Sequence, residues 1–260
     1  MKPIIDTHIH LDMYEEAYRE QMLSELDRYS ITHLISVSNN LNSSLKNLTW
    51  SMQDQRIKPA TGFHPEQNIP TDQEIEQMTS LIHRYANRIV AIGEVGLPYY
   101  TRKKNPGVGL SPYVELLEHF LLLAKELDKP VVLHAIYEDA DLVCDLLEKH
   151  DMTRAHFHWF KGFNTTIDRM KENGYFISVT PDCVYEKEIQ SLIKIYPLDQ
   201  LMVETDGPWA FDGPFKGKVT HPKMIHDSVE KISELKGLPV ENIYGQLYKN
   251  TIDFYKIDSF

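Results

Sequence analysis

Long apolar runs are missing from this chain of 260 residues: no stretch approaches the roughly 18 consecutive apolar residues of a membrane span. The N-terminus reaches Asp6 after only two isoleucines, which leaves no apolar core for a secretory signal. Cysteine is scarce. Cys144 and Cys183 have no C-x-x-C spacing, and they predict reduced thiols in a cytoplasmic protein rather than a disulfide framework. The Asn-X-Ser/Thr triplets at Asn42, Asn47 and Asn164 carry no meaning in that setting. Positive charge is in the minority: 27 Lys and Arg against 38 Asp and Glu give a net charge of −11. That balance argues against broad, nonspecific binding to nucleic acid or anionic membrane. It leaves room for a phosphate-bearing substrate, because bound cations would reverse the sign locally. Neither a membrane nor an obligate protein partner is expected.

Low-complexity tracts, long linkers and clear internal repeats are absent too, so residues 1–260 are read as a single domain. Short apolar runs recur instead: 3–6, 31–38, 57–63, 88–94, 130–134, 153–159, 175–179 and 201–205. Several are nearly continuous in aliphatic residues, as expected of parallel strands covered on both faces. Amphipathic stripes lie between them, such as Tyr18, Met22, Leu26 and Tyr29, or Val114, Leu117, Leu121 and Ala124. Eight strands alternating with helices over about 250 residues predict a (β/α)8 barrel of the TIM type. An open doubly wound sheet would normally carry a Gly-rich phosphate turn after its first strand; here DTHIH holds that place.

Titratable side chains fall where those strands end. His8 and His10 close the first strand, Glu94 the fourth, His134 the fifth and His158 the sixth, and Asp206 follows the eighth. In a barrel these C-terminal ends meet at one mouth, where active sites are built. Side chains two apart on a strand share a side, so His8 and His10 can reach one cation. Glu94 has two oxygens and can bridge two. Taken singly, each residue has a structural explanation; their joint placement predicts a metal centre. His8, His10, Glu94 and Asp206 would surround one ion, and Glu94, His134 and His158 another. Mixed nitrogen and oxygen ligands suit zinc, manganese or iron, and magnesium where carboxylate and water dominate.

Taken in order, DTHIHLD, GFHPE (62–66), AIGEVGL (91–97), PVVLH, HWFKG (158–162) and ETDGP (204–208) resemble the successive signatures of the TatD-related metal-dependent hydrolases, within the amidohydrolase superfamily. The resemblance runs from residue 4 to the closing segment with Asn250. It implies a (β/α)8 barrel, a divalent metal centre and, as in the better-known members, exonuclease activity on DNA. Glu94 matches the place where other branches of the superfamily bridge their metals with a carboxylated lysine. The sequence departs from the common pattern at three points. Pro98 replaces the aspartate of GLD, Ala135-Ile136 replaces Ser-Arg after His134, and HWFKG replaces HCFSG, bringing in Trp159 and Lys161.

The expected chemistry is metal-assisted hydrolysis, in which divalent cations lower the pKa of water from 15.7 towards about 7. Asp206 is the candidate base that moves the proton to the leaving group. Glu204 stands two residues before it as further catalytic support, and Asp6 is expected to fix an imidazole tautomer in the first strand. His64, in the loop after the third strand, is expected to face substrate. Arg102, Lys103, Lys104, Lys161, Lys216 and Lys218 could form a phosphate-binding rim. Tyr99, Tyr100, Trp159, Trp209 and Phe211 could offer stacking surfaces for bases. The leading substrate is a phosphodiester, DNA foremost. A carboxylic ester, lactone, cyclic amide or aminoacyl-RNA ester is the alternative, and a metal-stabilised subunit without turnover a third.

Overall fold

The computed structural model describes residues 2–258. Among them, eight parallel strands follow one another around a nearly closed barrel: β1 (Ile4–Ile9), β2 (Ile31–Ser36), β3 (Ile57–Thr61), β4 (Ala91–Gly96), β5 (Val131–His134), β6 (Ala155–Phe157), β7 (Phe176–Val179) and β8 (Leu201–Val203). The helices α1 (Glu16–Glu25), α2 (Leu41–Gln53) and α3 (Asp72–Arg84) return the chain between the first four strands. A short α4 (Tyr99–Lys104) precedes α5 (Ser111–Glu126), and α6 (Glu138–Lys149), α7 (Asn164–Glu172) and α8 (Lys187–Ile195) complete the alternation. Two more, α9 (Ile225–Lys236) and α10 (Val240–Tyr255), follow β8.

Local chemistry starts several of these helices. Asn40 accepts from Ser43 N at 3.1 Å ahead of α2. Thr71 and Glu74 exchange hydrogen bonds ahead of α3, which satisfies amides that the first turn leaves free. The stripe on α5 buries Leu117, Leu121 and Ala124 against the strands. A smaller apolar cluster gathers Ile5, Ile35, Ala60, Ala91, Val132 and Met202 from six strands. Side chains from six strands meet only inside the barrel. Phe254, Tyr255 and Ile257 at the end of α10 pack against this cluster.

Barrel closure is largely a side-chain matter. Thr205 N and Thr205 Oγ1 both donate to the Asp6 carboxylate, at 2.9 and 2.5 Å. Thr7 Oγ1 donates to Val203 O at 3.0 Å. Past the end of β8 the backbone joins in: Asp206 N bonds to His8 O at 2.9 Å and His10 N to Gly207 O at 2.8 Å. Asp6 therefore departs from its expected part. Its oxygens take Thr205 and the His8 backbone amide (3.3 Å), not an imidazole, because the facing strand presents an amide and a hydroxyl at that height. Burial pushes this carboxyl up to about 8, against those hydrogen bonds. Two glycines permit the close approaches. A Cβ on Gly96 would lie 2.0 Å from His134 O, and one on Gly207 would lie 1.8 Å from Tyr14 Oη.

Candidate metal centre

β1 carries His8 inside the strand and His10 just beyond it; β4 carries Glu94 two residues before its end. His134 is the last residue of β5, His158 follows β6 directly, and Asp206 follows β8 by three residues. The side chains project into the barrel mouth, and the strand pairing shifts register where they leave it, between Asp6 and Ile9 on β1 and between Ile92 and Val95 on β4. All six are buried, from 0% exposed at His8 and Glu94 to 9% at His134.

The two oxygens of Glu94 face different partners. Oε2 lies 3.1 Å from His8 Nε2 and 3.3 Å from His10 Nε2. Asp206 Oδ1 is 3.4 Å from each of the same nitrogens. Oε1 lies 2.7 Å from His158 Nε2, 3.0 Å from His134 Nδ1 and 3.3 Å from His64 Nε2. The rings of His8 and His158 stack at 3.8 Å between the two sets.

Two of these atoms, Glu94 Oε2 and Asp206 Oδ1, have no hydrogen-bond partner. Orphaned buried polar atoms are costly. The ring orientations make the same point. His134 directs Nε2 at Glu66 Oε1, 3.2 Å away, and a carboxylate there holds the proton on that nitrogen. Its Nδ1 lone pair then meets a carboxylate oxygen, an arrangement that needs a positive charge between the two. Protons can stand in. Burial opposes charge on His158 and His10, yet Glu94 and Glu204 raise the former well above the ordinary histidine value, and Asp206 and Glu94 raise the latter to about 10. Burial likewise opposes ionisation of Glu94, but His158, His64 and His8 hold it well below the carboxylate range. The donor set thus fits divalent cations, whose charge would replace those protons.

His64 is close enough to join the second set, but its other nitrogen decides otherwise. Its Nδ1 accepts from Glu66 N at 3.0 Å, and burial favours the neutral ring, so the proton stands on Nε2. That nitrogen is a donor turned toward Glu94 and the cavity. Glu204 is brought to His158 rather than to Asp206. Its Oε1 accepts from Trp159 N at 2.7 Å and lies 3.6 Å from His158 Nδ1, and its Oε2 accepts from Ser178 Oγ. It is wholly buried and away from the cavity wall. Ser178 Oγ in turn meets His156 Nε2, whose Nδ1 meets Tyr255 Oη at 2.7 Å.

A cavity of about 440 Å³ opens over the cluster, with His10, His64, His134, His158 and Asp206 at its floor. Of the expected basic rim, only Lys104 and Lys161 line it. Lys103 lies 5.5 Å from the Tyr99 ring centre beside a separate depression, Arg102 pairs with buried Asp139 at 2.5 Å, and Lys218 bonds to Pro214 O. Tyr100, Trp159 and Trp209 form aromatic walls, whereas Phe211 is buried behind Trp159 and Tyr99 turns to Tyr137. Glu66 was not singled out in the sequence. It lines the cavity, supports His134 and accepts from Tyr100 N and Thr101 N at 2.7 Å each, at the start of α4. Its place in GFHPE, two residues after His64, was the available signal.

Comparison with known proteins places this geometry. A Haemophilus influenzae protein described as an uncharacterized metal-dependent hydrolase is 36% identical over 98% of this chain and 100% of its own. The human deoxyribonuclease TATDN3 is 26% identical over 97% of this chain and 94% of its own. A crystal structure of YjjV, a TatD homologue from Escherichia coli, superposes with a TM-score of 0.85 at 26% identity, covering 98% of both chains. The model of the family described as TatD related DNase matches residues 5–256, and the chain belongs to that family of metal-dependent hydrolases.

Proposed function

We propose that this protein is a binuclear metal phosphodiesterase that cleaves DNA from an end or as a single strand, in the cytoplasm, where its two buried thiols stay reduced. The observation that carries the reading is the division of Glu94, with one oxygen toward His8 and His10 and the other toward His134 and His158. Such a carboxylate suits two cations, zinc, manganese or magnesium, with Asp206 completing the first set. When bound, paired divalent ions activate water and stabilise the attacking and leaving oxygens of an in-line displacement. The residues do the rest. Asp206, with one oxygen unpartnered and its side chain on the cavity floor, takes the proton of the attacking water and returns it to the leaving oxygen. His64 offers its Nε2 proton to the substrate, Lys104 and Lys161 face its phosphates, and Tyr100 and Trp209 offer surfaces to its bases.

A second reading rests on Ile136, which lines the cavity where the family pattern would place an arginine; an apolar wall also suits a lactone, cyclic amide or aminoacyl ester. Reconstituted protein assayed on single-stranded DNA, a chromogenic phosphodiester and a lactone separates the two. Hydrolysis of the first two, with the lactone untouched, is the expected result. Asp206→Asn should keep the fold and the bound metal while kcat falls about 10²–10⁴-fold, the usual range for losing a general acid–base group. Near-normal turnover with the metal in place would remove Asp206 from the proton path.

A further inference from the structure

The loop after β6 holds a cation in a fixed place beside the centre without using up its hydrogen-bonding capacity. Trp159 has a left-handed backbone (φ 37°), its N–H bonded to Glu204, and its indole Nε1 donates to Asp182 Oδ2 at 2.7 Å. Asp182 is 3% exposed, and its other oxygen accepts from Thr180 Oγ1 at 2.5 Å. Phe160 is fully buried, and Lys161 O accepts from Tyr137 N at 2.8 Å, so the backbone on either side of Lys161 is pinned. The ammonium lies 5.4 Å from the centre of the Trp159 ring and 4.0 Å from Asp182 Oδ2. The latter distance exceeds hydrogen-bond length. Asp182 therefore spends its lone pairs on Trp159 and Thr180, and holds Lys161 in place through the indole while leaving the ammonium free to bond elsewhere. The ammonium lines the same cavity as Asp206 and His158.

We propose that Lys161 recognises a second phosphate of the substrate, carried next to the scissile bond, and that Asp182 is the positioning residue that aims it through Trp159. The proposal deepens the phosphodiesterase reading above and rests on it. The scissile group belongs at the floor, among His10, Asp206 and Glu94; the group one linkage away meets the loop that follows His158. Lys161 lies three residues beyond that histidine, with its ammonium over the Trp159 ring. Had Lys161 served only to neutralise Asp182, removing the charge of Lys161 would leave ligand selection unchanged.

The test compares thymidine 3′,5′-bisphosphate with thymidine 5′-monophosphate by calorimetric titration of the metal-reconstituted protein. The bisphosphate should bind about tenfold more tightly, the scale of one charge-assisted hydrogen bond. Lys161→Gln should reduce that preference to within about threefold. Asp182→Asn can still accept from Trp159 and donate to Thr180, and should keep the preference; Asp182→Ala should lose it and shift the tryptophan emission. In turnover, Lys161→Gln should raise KM for a 5′-phosphorylated dinucleotide about tenfold more than it raises KM for a chromogenic diester with one phosphate. An undiminished preference in Lys161→Gln overturns the proposal. Should no phosphodiester be cleaved while the preference still depends on Lys161, phosphate recognition stands and the phosphodiesterase reading falls.

Discussion

His64 and His134 reach the same Glu94 oxygen, yet their far nitrogens meet opposite partners, a backbone N–H for one and the Glu66 carboxylate for the other. The first arrangement makes a donor of the ring atom facing Glu94; the second makes a lone pair. Glu66 is thus the residue that leaves His134 able to hold a cation. Its own charge is secure: burial opposes ionisation, but His134, Thr101 and the Tyr100 amide hold it at about 2. Glu66→Gln should weaken metal binding about 10–100-fold, the usual cost of losing a partner behind a metal-binding histidine, as a competitive chelator titration would report. An unchanged affinity would end that assignment. His8, His10, Glu94, His134, His158 and Asp206 were legible because each stands at a predicted strand end, where position alone implies the mouth. Glu66 was not, because a loop residue's direction depends on how the loop folds back. Lys103 and Lys104 show the same limit: neighbours in sequence, one faces the cavity and the other turns to Tyr99.

At the scale of elements, the seam between β8 and β1 depends on Asp6 more than on a run of ladder bonds. Asp6→Ala would leave the amide and the hydroxyl proton of Thr205 without acceptors, at roughly 1–3 kcal/mol for each orphaned donor. Asp6→Asn can accept from the amide and donate to the hydroxyl, so most of the stability should remain. Denaturant unfolding of the two variants should therefore separate them clearly, with Asp6→Ala the weaker. Equal midpoints would show that the seam does not need these bonds. All eight strands could be read from their short apolar runs, several of them nearly continuous in aliphatic residues because most of each strand is covered. The pairing of Asp6 could not. Strand parity says which side a residue faces, while its partner across the seam lies in a segment about 200 residues away, whose register no local pattern reports.

For the whole molecule, acid stability is set partly by histidines outside the centre. His221 is 4% exposed, its Nδ1 accepts from Lys223 N at 3.0 Å, and burial and Lys223 lower it to about 4. The unfolded chain takes up that proton near pH 6.5 and the folded one only near 4, so acid favours unfolding between those values. Stability should be full above about pH 6.5 and fall progressively toward 4. His221→Gln should flatten that slope in unfolding curves taken at a series of pH values; an identical slope would exclude the contribution.

The seam has a further consequence in time. Ribosomes deliver His8 and His10 first, and Asp206 emerges roughly ten to forty seconds later at about 5–20 residues per second. A nascent chain that stops short of β8 carries His8, His10, Glu94, His134 and His158 but not Asp206, so the set around His8 and His10 is complete only once the last strand has closed on the first.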